Sequence, residues 1–395
     1  MVKVLLVAIY LNSNFCKNKL LCPLCFLISN IVHIYVSTNF SFEYLRKKLI
    51  ALQSLKHCML TITTLKQILA EPKSIVITTH YKPDGDALGS SLAMLLWLKA
   101  HGHQARLIVP SDYPSFLAWM PHQEEAIIYT ENKALADKLI AESDLIFCLD
   151  FNGLARTHDM QPILSTSQAT KVMIDHHLDP EGFDQFRHWN PESAATAYLV
   201  YDFIVNLLDD RSSITPEIAT CLYTGIMTDT GSFRFQSTTV EVHLAIADLI
   251  SLGAKNAEIH ERVYNSSSEN RLKFLGFCLL NRLVVLHEYN TAYFAITKED
   301  LTRFNIVTGD TEGLVNYALS ISGIKLAALI IDRTYQIKLS LRSVGTFPAN
   351  EICAKYFNGG GHRNAAGGHD DHPLERVVEK FKAVLPAYKE QLMDN

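Results

Sequence analysis

Asp and His fall along this chain at spacings that suit the binding of hard cations. His80 is followed by Tyr81-Lys-Pro-Asp-Gly-Asp86, so that His80, Asp84 and Asp86 share one short stretch. Asp150 closes the apolar run Leu145-Ile-Phe-Cys-Leu, Asp175-His176-His177 closes another, and Asp229 stands in Gly225-Ile-Met-Thr-Asp-Thr-Gly231. Singly, each has an ordinary explanation. An Asp at a strand end commonly caps the next helix, and a His pair is commonly a surface or satisfied interior pair. Brought to one crevice, so many carboxylates would repel one another unless cations compensated them. A mixed Asp/His donor set suits manganese or a similar first-row ion. The chemistry open to such a set is water made acidic enough to attack, with a Lewis acid for the oxyanion charge that develops.

The elements that must position these residues follow from hydrophobic periodicity. Thr61 to Leu69 has helical spacing and stops before Pro72, and Ser74 to Thr79 is a β-branched strand that His80 leaves. A helix is expected over Ala87 to Ala100, a strand over Ala105 to Val109, and a helix from the N-cap Asn132 to Glu142. Leu145 to Asp150 and Lys171 to Ile174 read as buried strands, and Ala194 to Leu208 as one long amphipathic helix. Asp229 is expected just past a further helical segment. Apolar strands alternating with helices predict an α/β fold with a parallel sheet covered on both faces. Ligands in such sheets bind at the carboxyl ends of the strands, where strand order switches. Most of the Asp and His residues fall at those ends.

Beyond Gly253 the texture changes. Asn256 to Leu280 is helical, with Ser266-Ser-Ser268 as a kink, and four strand-like runs follow at Leu283 to Leu286, Ala292 to Ile296, Leu326 to Ile331 and Gln336 to Arg342. A glycine-rich loop, Gly359-Gly-Gly-His362, and a helix from Leu374 close a smaller C-terminal α/β domain. The expected division is therefore an extension over 1–58, a metal-binding domain over 59–250, a helical linker over 251–280 and a second domain over 281–395. The active site is expected in the cleft between the two domains.

Composition narrows the possibilities. The chain is 48% hydrophobic with a net charge of −5, which argues against a broad basic surface for long duplex DNA but leaves room for a short nucleotide substrate. Cys148, Cys221, Cys278 and Cys353 lie singly in apolar runs and read as buried thiols of a cytoplasmic protein. Cys16, Cys22, Cys25 and Cys58 sit in the first sixty residues, and the Cys22-Pro-Leu-Cys25 pair lacks the second pair of a zinc site. The apolar runs Val2 to Tyr10 and Leu24 to Val36 fall short of the ~20 residues of a membrane span. No small-residue cleavage site follows the first, so the segment reads as an extension ahead of a domain that starts near Met59. No membrane partner is expected.

The order of motifs resembles that of the DHH phosphoesterase family, named for the tripeptide that stands here as Asp175-His176-His177. Gly359-Gly-Gly-His362-Arg-Asn-Ala-Ala-Gly367 is similar to the glycine-rich signature of the DHH-associated C-terminal domain. The resemblance runs from about Thr61 to the C-terminus. Within the family the pattern is most similar to the nanoRNases, oligoribonucleases that also remove the 3′-phosphate of 3′-phosphoadenosine 5′-phosphate (pAp). It implies two divalent ions, manganese being the best match. One would be held by His80, Asp84 and Asp150, the other by Asp86, Asp150, His176 and Asp229, with Asp150 bridging. Asp175 would orient a histidine, and His177 would face the scissile phosphate and help its leaving oxygen. Arg342, Gly359, Gly360, Gly361 and His362 would grip a terminal phosphate, Arg342 by a charge-assisted fork and the glycines through backbone N–H groups. The implied partners are short single-stranded RNA and nucleotides, and a homodimer stays open.

Three other readings compete. The same site could open cyclic dinucleotides or their linear product pApA. An inorganic pyrophosphatase shares the first-domain motifs, but the Gly359–His362 signature opposes it. A nucleotide-binding regulatory module would keep the fold without turnover. Tyr264, Phe274 and Tyr317 could stack a base, with core packing expected instead from their helical surroundings. His101, His103, His122, His158, His188, His243, His369 and His372 are expected on the surface or in loops.

Overall fold

A computed structural model of the chain describes residues 59–394. The N-terminal extension and its cysteines lie outside the described residues. Helix α1 (Ile62–Leu69) starts where expected, because the Thr61 hydroxyl accepts from the Thr64 N–H at 3.2 Å. It precedes a six-stranded sheet: β1 (Ser74–Thr78), β2 (Gln104–Val109), β3 (Ile127–Ile128), β4 (Leu145–Leu149), β5 (Thr170–Asp175) and β6 (Phe186–Trp189). Every pairing in it is parallel, in the order β3-β2-β1-β4-β5-β6. The chain leaves β1 toward one edge and returns at β4 toward the other. The crevice for a ligand therefore opens between the ends of β1 and β4.

Both faces are covered, as continuous apolar strands require. Ile75, Ile77, Phe147 and Leu149 pack into one core with α2 (Gly85–Ala100), α3 (Thr196–Asp202) and α4 (Pro216–Asp229). Val76, Ile146 and Cys148 point the other way, toward Ala136, Ile140 and Leu164. Two boundaries and one cap differ from expectation. The helix expected from Ala87 begins at Gly85, because the Asp84 carboxylate accepts from the Asp86 and Ala87 N–H groups and caps it. The helix expected over Ala194–Leu208 begins at Thr196 and passes into a π-turn at Phe203–Leu207. Asn132 occupies its N-cap position but its side chain makes no capping bond.

Two helices, α5 (Asn256–Tyr264) and α6 (Glu269–Asn281), lead to the second sheet, and Ser268 caps α6 where the kink is expected. That sheet contains β7 (Leu283–Leu286), β8 (Thr291–Ile296), β9 (Leu326–Asp332), β10 (Ile337–Ser343), β11 (Gly360–His362) and β12 (Ala365–Asp370). Its order is β11-β12-β10-β9-β8-β7, antiparallel except between β8 and β9. The expected glycine-rich loop is thus an edge strand, β11, hairpinned onto β12. Helices α8 (Ala349–Tyr356) and α9 (Leu374–Val384) cover one face, packing Ile352 and Phe381 on Leu339 and Leu341. On the other face α6 and α7 (Leu314–Leu319) pack on β8 and β9. Cys148, Cys221, Cys278 and Cys353 are all free and buried, as their apolar runs predict.

Candidate active site

The site is built where β1, β4 and β5 end. His80 leaves β1 and is 8% exposed; its Nδ1 lies 2.9 Å from the Tyr81 carbonyl, which fixes the N–H there and turns the Nε2 lone pair inward. That Nε2 faces Asp150 Oδ2 at 3.4 Å and Asp84 Oδ1 at 4.0 Å. Asp150 itself has φ +64, a left-handed conformation rare outside glycine. The turn swings its carboxylate back over the strand ends, where the Thr196 hydroxyl donates to Oδ1 at 2.9 Å.

His176 shows the same design. Its Nδ1 sits 3.0 Å from the Ser193 carbonyl, and its Nε2 faces Asp150 Oδ1 at 3.5 Å, Asp229 Oδ2 at 3.6 Å and Asp86 Oδ2 at 3.8 Å. Asp86 is only 1% exposed and accepts from the Thr196 and Ala197 N–H groups at the start of α3, at 2.6 and 2.8 Å. That helix N-terminus favours its charge. Asp229 is the last residue of α4 rather than a residue beyond it. Glycines let α2 and α4 approach closely enough to bring the two acids together. A Cβ on Gly85 would lie 2.3 Å from Thr228 Oγ1, and one on Gly89 2.6 Å from the Cys221 carbonyl.

Asp175 is fully buried and accepts from His177 Nδ1 at 2.8 Å, leaving the other edge of that ring toward the cleft. From the second sheet, the His362 ring lies 4.5 Å from His176 and 4.7 Å from His177, centroid to centroid. The site therefore lies in the cleft between the two sheets. Four groups of side chains each offer ligand atoms within 4.8 Å of one another: His80/Asp84/Asp150, Asp86/His176/Asp229, Asp150/Asp175/His177 and His176/His177/His362.

Electrostatics give a test of whether this set fits cations. Burial, then repulsion from Asp150 and Asp229, pushes the Asp86 carboxyl well above the usual carboxylate range. Burial, then Asp84 and Asp150, does the same to Asp229. Burial also opposes the charge on Asp150, but His80, His177 and His176 outweigh it and hold that carboxyl low. Burial works to lower His80 and His176, yet the facing acids raise both. Inward lone pairs and crowded carboxylates, buried except for the half-buried Asp84 and Asp229, form a donor set for divalent cations, and the residues present fit them. His177 is lowered by burial, and His362 is pushed down to about 2 by burial and by the neighbouring His176 and His177.

Several participants were not evident from sequence. Thr196 and Ser193 anchor Asp86, Asp150 and His176 but carry no spacing signal. Arg156 lends positive potential to His80, His177 and His362 from the segment after β4. Arg342 faces Asp229, as a residue beside the site should. Other expectations need correction. Tyr264 and Tyr317 are 44% and 48% exposed, and only Phe274 packs in a core. His103 is buried and accepts from the Lys73 N–H, and His188 lies in β6 against Asp202.

Comparison with known proteins supplies the family. Residues 74–226 match the DHH family N-terminal domain and residues 290–392 the DHHA1 domain. The bifunctional oligoribonuclease and PAP phosphatase NrnA of Thermus thermophilus is 34% identical over 322 residues, covering 79% of this chain and 90% of its own. The chain belongs to the DHH family. The protein of the same name from Bacillus subtilis is 25% identical over 297 residues, covering 74% of this DHH chain and 88% of its own. In structure, this DHH protein is similar to an exopolyphosphatase-related protein from Bacteroides fragilis. The TM-score is 0.80 at 41% identity, covering 84% of this chain and 97% of that one. Among the described residues no helix is long and apolar enough to cross a membrane.

Proposed function

We propose that this protein is a divalent-cation-dependent phosphoesterase that cuts very short oligoribonucleotides to mononucleotides and removes the 3′-phosphate of pAp. The observation that carries the reading is the pair of donor sets, His80/Asp84/Asp150 and Asp86/His176/Asp229, both facing Asp150. The named activities of the Thermus and Bacillus relatives, which align over most of their length, support the substrate class.

In this reading His80, Asp84 and Asp150 hold one ion, and Asp86, Asp150, His176 and Asp229 hold the other, manganese being favoured by the mixed donor set. Bound there, the cations supply an acidified water and Lewis-acid relief of charge on the phosphoryl oxygens. The chain's own residues do the rest. Asp175 fixes the Nδ1–H of His177, so that its Nε2, neutral near pH 7, can take a proton and return it to the oxygen that leaves phosphorus. His362, also neutral, can donate one N–H to a phosphoryl oxygen, so the cationic grip falls to Arg342. The bond between phosphorus and the leaving oxygen breaks as the attacking oxygen joins from the opposite side. Catalysis is assigned to residues 59–250, substrate choice to 281–395 and their connection to 251–280.

The test is hydrolysis of a 5′-labelled dinucleotide and of pAp with manganese present. Mononucleotide and AMP are the expected products. Cleavage of cyclic di-AMP with both of these left intact would move the assignment to cyclic dinucleotides. Tight nucleotide binding without turnover at saturating metal would make the protein a binding module.

A further inference from the structure

The register of the second sheet lays out a surface whose far end has no assigned role. Directly opposed residues of antiparallel strands project to the same face. Arg342 opposes Ala365, and Ala365 opposes His362, so Arg342 and His362 flank one row. Two residues along β10 the row is Ser340, Gly367 and Gly360; two further, Lys338 stands opposite His369. The face these rows share is the one on which α6 and α7 cover β8 and β9, and no residue of β10, β11 or β12 enters that core. Although α7 stands along β10, the residues of the three outer strands on this face remain half-buried or exposed and form a floor.

The middle of that floor carries nothing larger than a hydroxyl. A Cβ on Gly360 would meet no atom within 4 Å. The first row abuts the metal-binding side chains, since His362 stands against His176 and His177. The third lies four residues away, about 13–14 Å along the strand. Arg342 and Lys338 thus rise from the two ends of a flat, side-chain-free strip.

Charge is also uneven along the strip. Lys338 is drawn down by desolvation in the cleft, then by repulsion from Arg333, with Lys82 and Arg342 adding to it; Glu312 is the acid that offsets them. Lys82 comes from the His80–Asp86 loop of the first sheet, so the cations converge from both walls of the cleft. Part of their charge is already answered, because Lys82 pairs with Asp112 and Arg333 donates to the Thr311 hydroxyl at 3.0 Å. Among the described residues Lys338 makes no ion pair or side-chain hydrogen bond, and Glu312 is the acid set against Arg333, Lys82 and Arg342 around it. With cations outnumbering acids about it and no bond of its own, Lys338 at the edge of a substrate floor is a place for an anion.

Building on the proposed function, we propose that Lys338, with His369 beside it and Lys82 across the cleft, binds a second phosphate, one nucleoside away from the phosphate being hydrolysed. The ligand class is a nucleoside carrying phosphate at both its 5′ and 3′ oxygens. The nucleoside lies over Ser340, Gly367 and Gly360, its 3′-phosphate at the cations and its 5′-phosphate on Lys338. This unit is common to pAp and to the first residue of a 5′-phosphorylated dinucleotide. One site can therefore serve a phosphomonoester and a phosphodiester, because what lies beyond the 3′-phosphate projects out of the recognised unit.

The experiment compares kcat/KM for pAp against adenosine 3′-monophosphate, and for 5′-phosphorylated ApA against ApA, in wild type, Lys338→Gln and Lys338→Arg. Wild type is expected to favour the 5′-phosphorylated member of each pair. In Lys338→Gln both preferences fall by roughly 10–100-fold, the loss residing in KM, as expected for one charge-assisted contact. Lys338→Arg restores most of each preference. Equal losses on both members of a pair, or unchanged ratios, would overturn the second site while leaving the functional reading intact. A wild-type protein that hydrolyses none of the four would overturn that reading and the site with it.

Discussion

The two sheets solve different problems with the same secondary structure. The first is parallel and covered on both faces, so only the ends of its strands are free to carry chemistry. His80, Asp150 and Asp175-His176-His177 all stand there, with backbone carbonyls on His80 and His176 and the buried Thr196 hydroxyl on Asp150. The second is mainly antiparallel and leaves part of one face open, so the proposed recognition spreads over a surface whose register runs from Arg342 and His362 to Lys338. Strand ends concentrate charge for bond breaking, whereas a sheet face measures the length and charge of what is bound. Substitutions at the first should therefore act alike on every substrate, and those at the second should sort substrates from one another.

The largest expected effect is at Asp150, which faces both donor sets. Asp150→Asn should lower kcat at least about 10³-fold on every phosphoester, diester or monoester, in steady-state assays with manganese. A loss confined to one substrate would break the contrast. Next is Arg342→Gln, which removes a charge-assisted contact and should raise KM for nucleotides by roughly 10–100-fold while manganese affinity, read by calorimetry, stays the same. Gly359 sharpens the structural side. A Cβ there would lie 2.0 Å from the Gly367 carbonyl, so Gly359→Ala must open the β11–β12 hairpin. That should cost on the order of 2 kcal/mol, seen as a lower melting temperature.

The smallest effect concerns the metal-free site. The raised carboxyls of Asp86 and Asp229 and the raised imidazoles of His80 and His176 all favour the protonated form in the folded state. Such groups contribute stability that is complete below their unfolded pKa and is lost as pH rises through the folded one. Asp150 works in the opposite sense, and its contribution is lost only as pH falls below the ordinary carboxylate range; the lowered imidazoles of His177 and His362 also oppose the raised groups, favouring folding as pH rises past their unfolded value. The four raised groups should thus stabilise least at pH 8, where manganese no longer competes with their protons and should raise the melting temperature more than at pH 5.5. Asp229→Asn removes one of the opposing charges and should raise the metal-free melting temperature at pH 8 by a degree or two, about 1 kcal/mol. Calorimetry in the presence of a chelator reads both.

Much of this arrangement was legible in the amino-acid sequence because its signals are local. β-Branched and apolar runs ending in His or Asp mark strands that deliver ligands, and the alternation with helices marks the parallel sheet. What stayed hidden depends on long-range contact. Thr196 looks like any first-turn residue until Asp86 and Asp150 are found on it. Gly85 falls in the expected loop and Gly89 inside the expected helix, and neither signals a close approach until Thr228 and Cys221 are seen against them. Gly359 to Gly361 reads as a loop because glycine carries no strand signal, and β11 exists only through its pairing with β12. Lys338 is an unremarkable strand lysine until the register places it in line with Arg342. Tyr264 and Tyr317 erred the other way, since helical spacing says which face a residue shares but not whether another element covers it.

Crystals soaked in manganese and measured at its absorption edge would test the central claim most directly. The account predicts two anomalous peaks, one among His80, Asp84 and Asp150 and one among Asp86, His176 and Asp229, both in contact with Asp150. Ordered, fully bonded side chains at these positions with no peak between them at saturating manganese would contradict it.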